Sequence, residues 1–315
     1  MCRCFFFALL MRALLNGDEY SSQIYSQIED IYHPTEQNFR LIQEYLEHGT
    51  RPLVSRLDAW QYQEKARNFR LLGRNESEKI ESGIIPVNCD ENWKENCILL
   101  YSSFNYAYPE CTKKLIDLIR NSDFKGHILY RIGGWPDIEG GNLVLAHIPF
   151  AFKICFFSEA QRLGYKHALW LDTSVVPING LNDTFQTIAQ QGYFCFITNF
   201  PLQNYSNREA IAAMGVTYDE ASQIPLYVAG LIGFNFDNAL AQKALNLWYE
   251  ITAYREEASY SARQELCIIS SILHRLGMTH CSYYADKITW DRNEIGNHKF
   301  DFLVDKLAVQ PNWPY

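Results

Sequence analysis

The stretch Gly164-Tyr-Lys-His-Ala-Leu-Trp-Leu-Asp-Thr-Ser-Val-Val-Pro177 decides how the rest of the chain is read. Its apolar run, residues 167–171, stops at Asp172, and two small hydroxyl residues, Thr173 and Ser174, follow. A short continuous apolar run bounded by polar residues is what a strand buried on both faces requires. In open α/β sheets the carboxyl ends of strands border the ligand crevice, so an acid in that place faces ligand. Asp also caps turns through its own backbone, and that reading stands beside the first.

On either side of this run, helical and strand patterns alternate. Residues 97–103 and 127–132 read as strands, and 109–120 and 149–163 as helices. Further on, 192–198 and 226–236 are strand-like, while 238–254 and 263–276 carry helical periodicity. Such alternation predicts βαβ crossovers and an α/β fold with a doubly wound, mostly parallel sheet and helices on both faces. Upstream, 35–49 and 52–72 have apolar residues at helical spacing, which predicts a helical N-terminal extension over 1–95 and a catalytic domain over 96–315. No internal repeat or low-complexity tract interrupts the pattern.

A chain of 315 residues accommodates one large core with an appendage. The formal net charge of -8 argues against a nucleic-acid binder, which needs a basic stripe along its surface. It leaves room for a nucleotide held in one local pocket by amides, cations or a metal. The 9 cysteines are odd in number and lack a Cys-x-x-Cys pair, so reduced, mostly buried thiols and a cytoplasmic setting are expected. The apolar stretch after Arg3 is too short, and too interrupted by Arg12, to span a bilayer, although it suits a signal-peptide core and a secretory route. Asn75, Asn182 and Asn204 head Asn-x-Ser/Thr triplets that would matter only on that route.

Several other residues stand out by chemistry. Lys153 lies on a helix otherwise rich in Phe and Ala, where a cation must reach water or meet an anion. Gly230 and Gly233 interrupt an apolar strand, which marks a bulge or the close approach of a ligand, a backbone or a packed helix. Gln264 and Glu265 open an apolar helix, and Glu265 there also complements the helix dipole. Trp135, in a glycine-rich loop, offers either a stacking ring or a buried anchor. The spacings of a P-loop, a nucleophile elbow, a zincin helix and a dinucleotide-binding loop are all missing.

The order of these segments, with the helix before the Asp172 strand and the later Val228-Ala-Gly-Leu-Ile-Gly-Phe-Asn235, resembles the GT-A-type nucleotide-sugar glycosyltransferases. The resemblance spans residues 97–276. It implies a glycosyltransferase that moves a sugar from a nucleotide-diphosphate donor to a hydroxyl acceptor. In that family an Asp-x-Asp motif holds a divalent cation, Mn or Mg, on the diphosphate; here the motif is degenerate, Asp172-Thr173-Ser174, so Asp172 is the one metal ligand it supplies. The resemblance further implies that Ser102, Ser103 and Phe104 receive base or ribose, and that Lys153 lies near the diphosphate. It puts Gly230 and Gly233 on the sugar pocket and Gln264 on donor or acceptor sugar. Asp172 and Glu265 become the catalytic pair, with Glu265 as base if the reaction inverts. A catalytically inactive nucleotide- or glycan-binding protein of the same fold, and a glycoside hydrolase with a second acid facing Asp172, are the alternatives.

Overall fold

The structure is a computed structural model that describes Leu71, residues 77–136, Leu145, Ile148, residues 150–259, Ser261, residues 263–294 and residues 299–304. The helices expected at 35–49 and 52–72 lie outside the described residues, Leu71 excepted, as do the apolar N-terminus and Asn75. In chain order the elements are β1 (Glu81–Val87), β2 (Asn96–Ser102), α1 (Tyr108–Arg120), β3 (Gly126–Ile132), α2 (Phe152–Arg162), β4 (His167–Leu171), β5 (Val175–Pro177) and α3 (Leu181–Gln191). After these come β6 (Tyr193–Pro201), α4 (Arg208–Ala213), α5 (Tyr218–Ala221), β7 (Pro225–Asn235), α6 (Ala239–Tyr254), α7 (Gln264–Arg275), β8 (Ser282–Tyr283), α8 (Tyr284–Lys287), β9 (Ile288–Thr289) and β10 (Phe302–Val304).

The fold is α/β, built on a 7-stranded sheet of order β1-β3-β2-β4-β7-β6-β8. Pairings β2–β3, β2–β4 and β6–β8 are parallel, whereas β1–β3, β4–β7 and β6–β7 are antiparallel, so only β1 and β7 run against the rest. The sheet is mixed where plain βαβ alternation predicts parallel neighbours. The reversal of β7 matters for the site, because it brings the middle of that strand, not its end, beside the end of β4.

Side chains alternate across the strands and fill two cores. One holds Leu99, Trp170 and Ile232 under Phe156 of α2, Trp248 of α6 and Ile269 of α7. The other holds Ile98, Leu169 and Leu231 against Leu115 of α1 and Phe185 and Ile188 of α3. Helices therefore cover both faces, which explains why β2 and β4 read as unbroken apolar runs. A 3-stranded sheet, β5-β10-β9, braces the segment that follows Asp172.

Of the elements that the sequence pattern did not announce, two shape the main sheet and its cover. β1 lies within the stretch assigned to the extension, yet it pairs antiparallel with β3 from Glu81↔Ile132 to Val87↔Gly126, so the sheet takes in residues before Asn96. Gly83 and Pro86 hide it in the sequence, and both are tolerated because β1 is an edge strand. The helix α3, between Gly180 and Gly192 in left-handed conformation, buries Leu181, Phe185 and Ile188 at helical spacing. No helix among the described residues is long and apolar enough to cross a membrane. The described cysteines are free, and Cys97, Cys111, Cys155, Cys195 and Cys267 are buried.

Candidate functional site

Asp172 is the first residue beyond β4. Its backbone N–H donates to Gly230 O at 2.8 Å, carrying the β4–β7 pairing one step past Leu171↔Leu231. Trp170, two residues back and hence on the same face of the strand, donates Nε1–H to Asp172 Oδ1 at 2.7 Å. Lys153 Nζ stands 3.0 Å from that same oxygen. The other oxygen overhangs β7, since a Cβ added at Gly230 would lie 2.7 Å from Oδ2. Glycine is needed here for the close approach of the carboxylate; any side chain would push it off Lys153.

Lys153 is in the first turn of α2 and Glu265 in the first turn of α7. The ammonium donates to Asp172 Oδ1 at 3.0 Å, to Ala229 O at 3.1 Å and to Glu265 Oε1 at 3.3 Å. An ammonium has three N–H groups, so each has an acceptor within the protein. The rings of Trp170 and Phe150 lie 5.4 and 5.9 Å from Nζ. Burial is the largest influence on this group and pulls its pKa down, but the charges of Asp172 and Glu265 outweigh it, and the pKa rises above its ordinary 10.5. Lys153 is thus charged at every physiological pH.

Two carboxylates and one ammonium leave a formal excess of one negative charge. Opposing it are the N-terminal ends of α2 and α7, each equivalent to about +0.5 charge. The cluster is close to neutral, and an anionic ligand can approach it without the repulsion that bare carboxylates would exert. Exposure within the cluster is uneven: the Asp172 side chain is 39% exposed, that of Lys153 2% and that of Glu265 10%. Asp172 is the member a ligand can touch.

The structure therefore brings together Asp172, Lys153, Gly230 and Glu265 from the expected set. Gln264 is buried beside Glu265, and its Oε1 has no hydrogen-bond partner among the described residues. Thr173 is buried and Ser174 half-buried in the turn closed by Val175 N–H donating to Asp172 O at 2.8 Å. At the end of β2, Ser102 is buried and its Oγ has no partner among the described residues, while Ser103 Oγ donates to Asn105 Oδ1 at 2.7 Å.

Other assignments need correction. Lys153 does not offer its ammonium to a ligand, because all three N–H groups serve the protein. Gly233 belongs to the packing of α3: a Cβ there would stand 2.3 Å from Ile188 Cδ1. Of the two roles open to Trp135, burial at 1% exposure gives it that of the anchor; Phe104 is 3% exposed and packs over Gly133, so it presents no face to stack on. The exposed ring of this loop is Tyr106, 65% exposed and held at φ 46°. Its signal was present in Phe104-Asn-Tyr-Ala-Tyr108, but nothing local said which aromatic turns outward.

The divalent cation implied by the resemblance does not fit these residues. A hard cation needs several oxygen ligands, and Asp172 Oδ1 already accepts from Lys153 and Trp170. Asp291 Oδ1 accepts from Asn293 in its own turn at 2.9 Å, and Asp286 is exposed on α8. Among the described residues no group of three His, Cys, Asp or Glu side chains could hold a metal ion. A hollow of about 170 Å³ between α2 and α6, lined by Ile154, Phe157, Leu245 and Tyr249, includes none of the site residues.

No known protein family, curated protein or solved structure matches the chain.

Proposed function

We propose that this chain is a glycosyltransferase that binds a nucleotide-diphosphate sugar at the carboxyl ends of β2 and β4 and transfers the sugar to a hydroxyl acceptor. The observation that carries the reading is the convergence on Asp172 of a strand end, a close glycine and the first turns of two helices. Helix N-termini favour phosphate, and a fixed carboxylate favours the positive charge that develops on a sugar ring as its anomeric bond breaks. Asp172, oriented by Trp170 and Lys153 before any ligand arrives, supplies that carboxylate without reorganisation. Glu265 balances Lys153, and Gln264 Oε1 is an acceptor awaiting a hydroxyl donor. The free thiols fit a reducing compartment, the cytoplasm.

The misfit of a metal favours a second reading, a binder of the same fold that holds nucleotide or glycan without turnover. The hydrolase reading gains a second acid in Glu265, but both acids bind one ammonium instead of flanking a substrate bond. Melting temperatures with UDP, GDP and CMP test the ligand class, since a ligand of the folded state alone raises the midpoint. Hydrolysis of the matching nucleotide sugar then separates enzyme from binder. The Asp172→Ala chain is expected to lose turnover about 100-fold or more while remaining folded; turnover equal to wild type would remove Asp172 from the mechanism.

A further inference from the structure

We infer that Lys153 is a resident cation standing where a divalent ion would otherwise bridge Asp172 and Glu265, so that this site takes its ligand without added metal. The consequence for a diphosphate rests on the function proposed above; the exclusion of metal rests on the residues alone.

Lys153 occupies the space between the two acids. Nζ lies 3.0 Å from Asp172 Oδ1 and 3.3 Å from Glu265 Oε1, which places one positive charge between the two acids of the site. A divalent ion drawn to those oxygens would have to enter the same space, where it meets the repulsion of a charge already there. The ammonium is also saturated. With Ala229 O at 3.1 Å the ammonium has an acceptor for each N–H, and its side chain is 2% exposed, so displacing it means stripping three hydrogen bonds from a buried charge.

Few oxygens are left over for a metal. Asp172 keeps Oδ2, which overhangs Gly230, and the place of a second acidic ligand is taken by Ser174, a neutral hydroxyl. While Lys153 holds Asp172 Oδ1, Glu265 Oε1 and Ala229 O, a hard cation needs more oxygens than these two groups leave free. The ammonium nonetheless does the electrostatic work of an ion: it fixes the carboxylate and offsets its charge. It does so from within the wall, tied to α2, and cannot leave with product.

The full chain, stripped with EDTA, is titrated with Mn²⁺ while the free-ion EPR signal and the melting temperature are followed. Wild type is expected to take up no stoichiometric Mn²⁺ and to keep its melting temperature. Any nucleotide-induced shift is expected to be the same in EDTA as in Mn²⁺. Lys153→Ala opens the space between the two carboxylates and is expected to gain one Mn²⁺ site, read as lost EPR signal and a rise in melting temperature that Na⁺ does not reproduce. Stoichiometric Mn²⁺ uptake by wild type that vanishes in Asp172→Asn would overturn the inference. So would a folded Lys153→Ala chain that binds no Mn²⁺. If that variant does not fold, the wild-type and Asp172→Asn titrations decide the matter by themselves. The absence of any nucleotide shift bears on the transferase reading alone, because the metal arms use no nucleotide.

Discussion

Lys153 and Glu159 stand on the same helix, and each forms a buried ion pair, yet only one pair borders a surface that a ligand can reach. Glu159 receives Arg131 at two points, Nε to Oε2 at 3.1 Å and Nη2 to Oε1, with side-chain exposures of 6% for the acid and 13% for the cation. That pair ties α2 to β3 from within, and both ends are shielded. Lys153 is as deeply buried, but its partner Asp172 is 39% exposed and sits past the end of a strand. A buried charge alone does not mark a site. What marks it is a buried charge holding in place another that faces outward, at a strand end where backbone and helix termini also converge.

The difference can be broken at several points. Lys153→Met has the largest expected effect: it leaves two carboxylates near one another without their cation, at a loss of about 3–5 kcal/mol in denaturant unfolding. A midpoint unchanged from wild type would mean that the ammonium contributes nothing net. Glu159→Gln and Glu265→Gln form the matched comparison, and each is expected to lower stability by about 1.5–3 kcal/mol, the range for hydrogen bonds to charged groups. Donor turnover measured where both variants are folded should fall only for Glu265→Gln; equal losses would erase the distinction between the two pairs.

Gly230→Ala is a smaller change, about 1–3 kcal/mol of overpacking, because its Cβ would meet Asp172 Oδ2. Its turnover should nevertheless drop as far as that of an Asp172 variant, since the carboxylate is displaced from Lys153. Gly233→Ala, closed off by Ile188, is expected to lose stability without a specific loss of turnover.

The smallest effect is a dependence on pH. His167 bonds Asn96 Oδ1 through Nδ1 at 3.0 Å, and burial lowers its pKa below the ordinary 6.5. A histidine with a depressed folded pKa stabilises the protein above its unfolded pKa. That contribution is lost as pH falls from about 6.5 through the lower folded value. His167→Gln should flatten this part of a stability profile and leave the Lys153 cluster unaffected. Lys153 acts in the opposite sense, losing its contribution only as pH rises above 10.5 toward the higher folded pKa.

Much of the fold was legible because the signals are local. Apolar runs bounded by polar residues located β2, β3 and β4, and helical periodicity located α1, α2, α6 and α7 to within a few residues. β1 escaped notice because Gly83 and Pro86 break its pattern, and an edge strand can carry them. Phe104 and Tyr106 differ by 3% against 65% in exposure although both follow β2, and no property of the tripeptide around either says which way it turns. The role of Lys153 was half legible: a cation among Phe and Ala had to reach water or meet an anion, and neither the choice nor the anion was readable.

The chain by itself determined that Asp172 ends a buried strand, because strand burial and chain direction are set by neighbouring residues. It also determined that Lys153 lies on a helix and that Glu265 opens one. Only the tertiary structure decided that these three meet, with Glu265 lying 112 residues from Lys153, and that β7 runs backwards so that Gly230 passes beneath the carboxylate. Contacts of that range depend on how helices pack on a sheet and on which strand lies next to β4. Those are properties of the whole core that no local window contains.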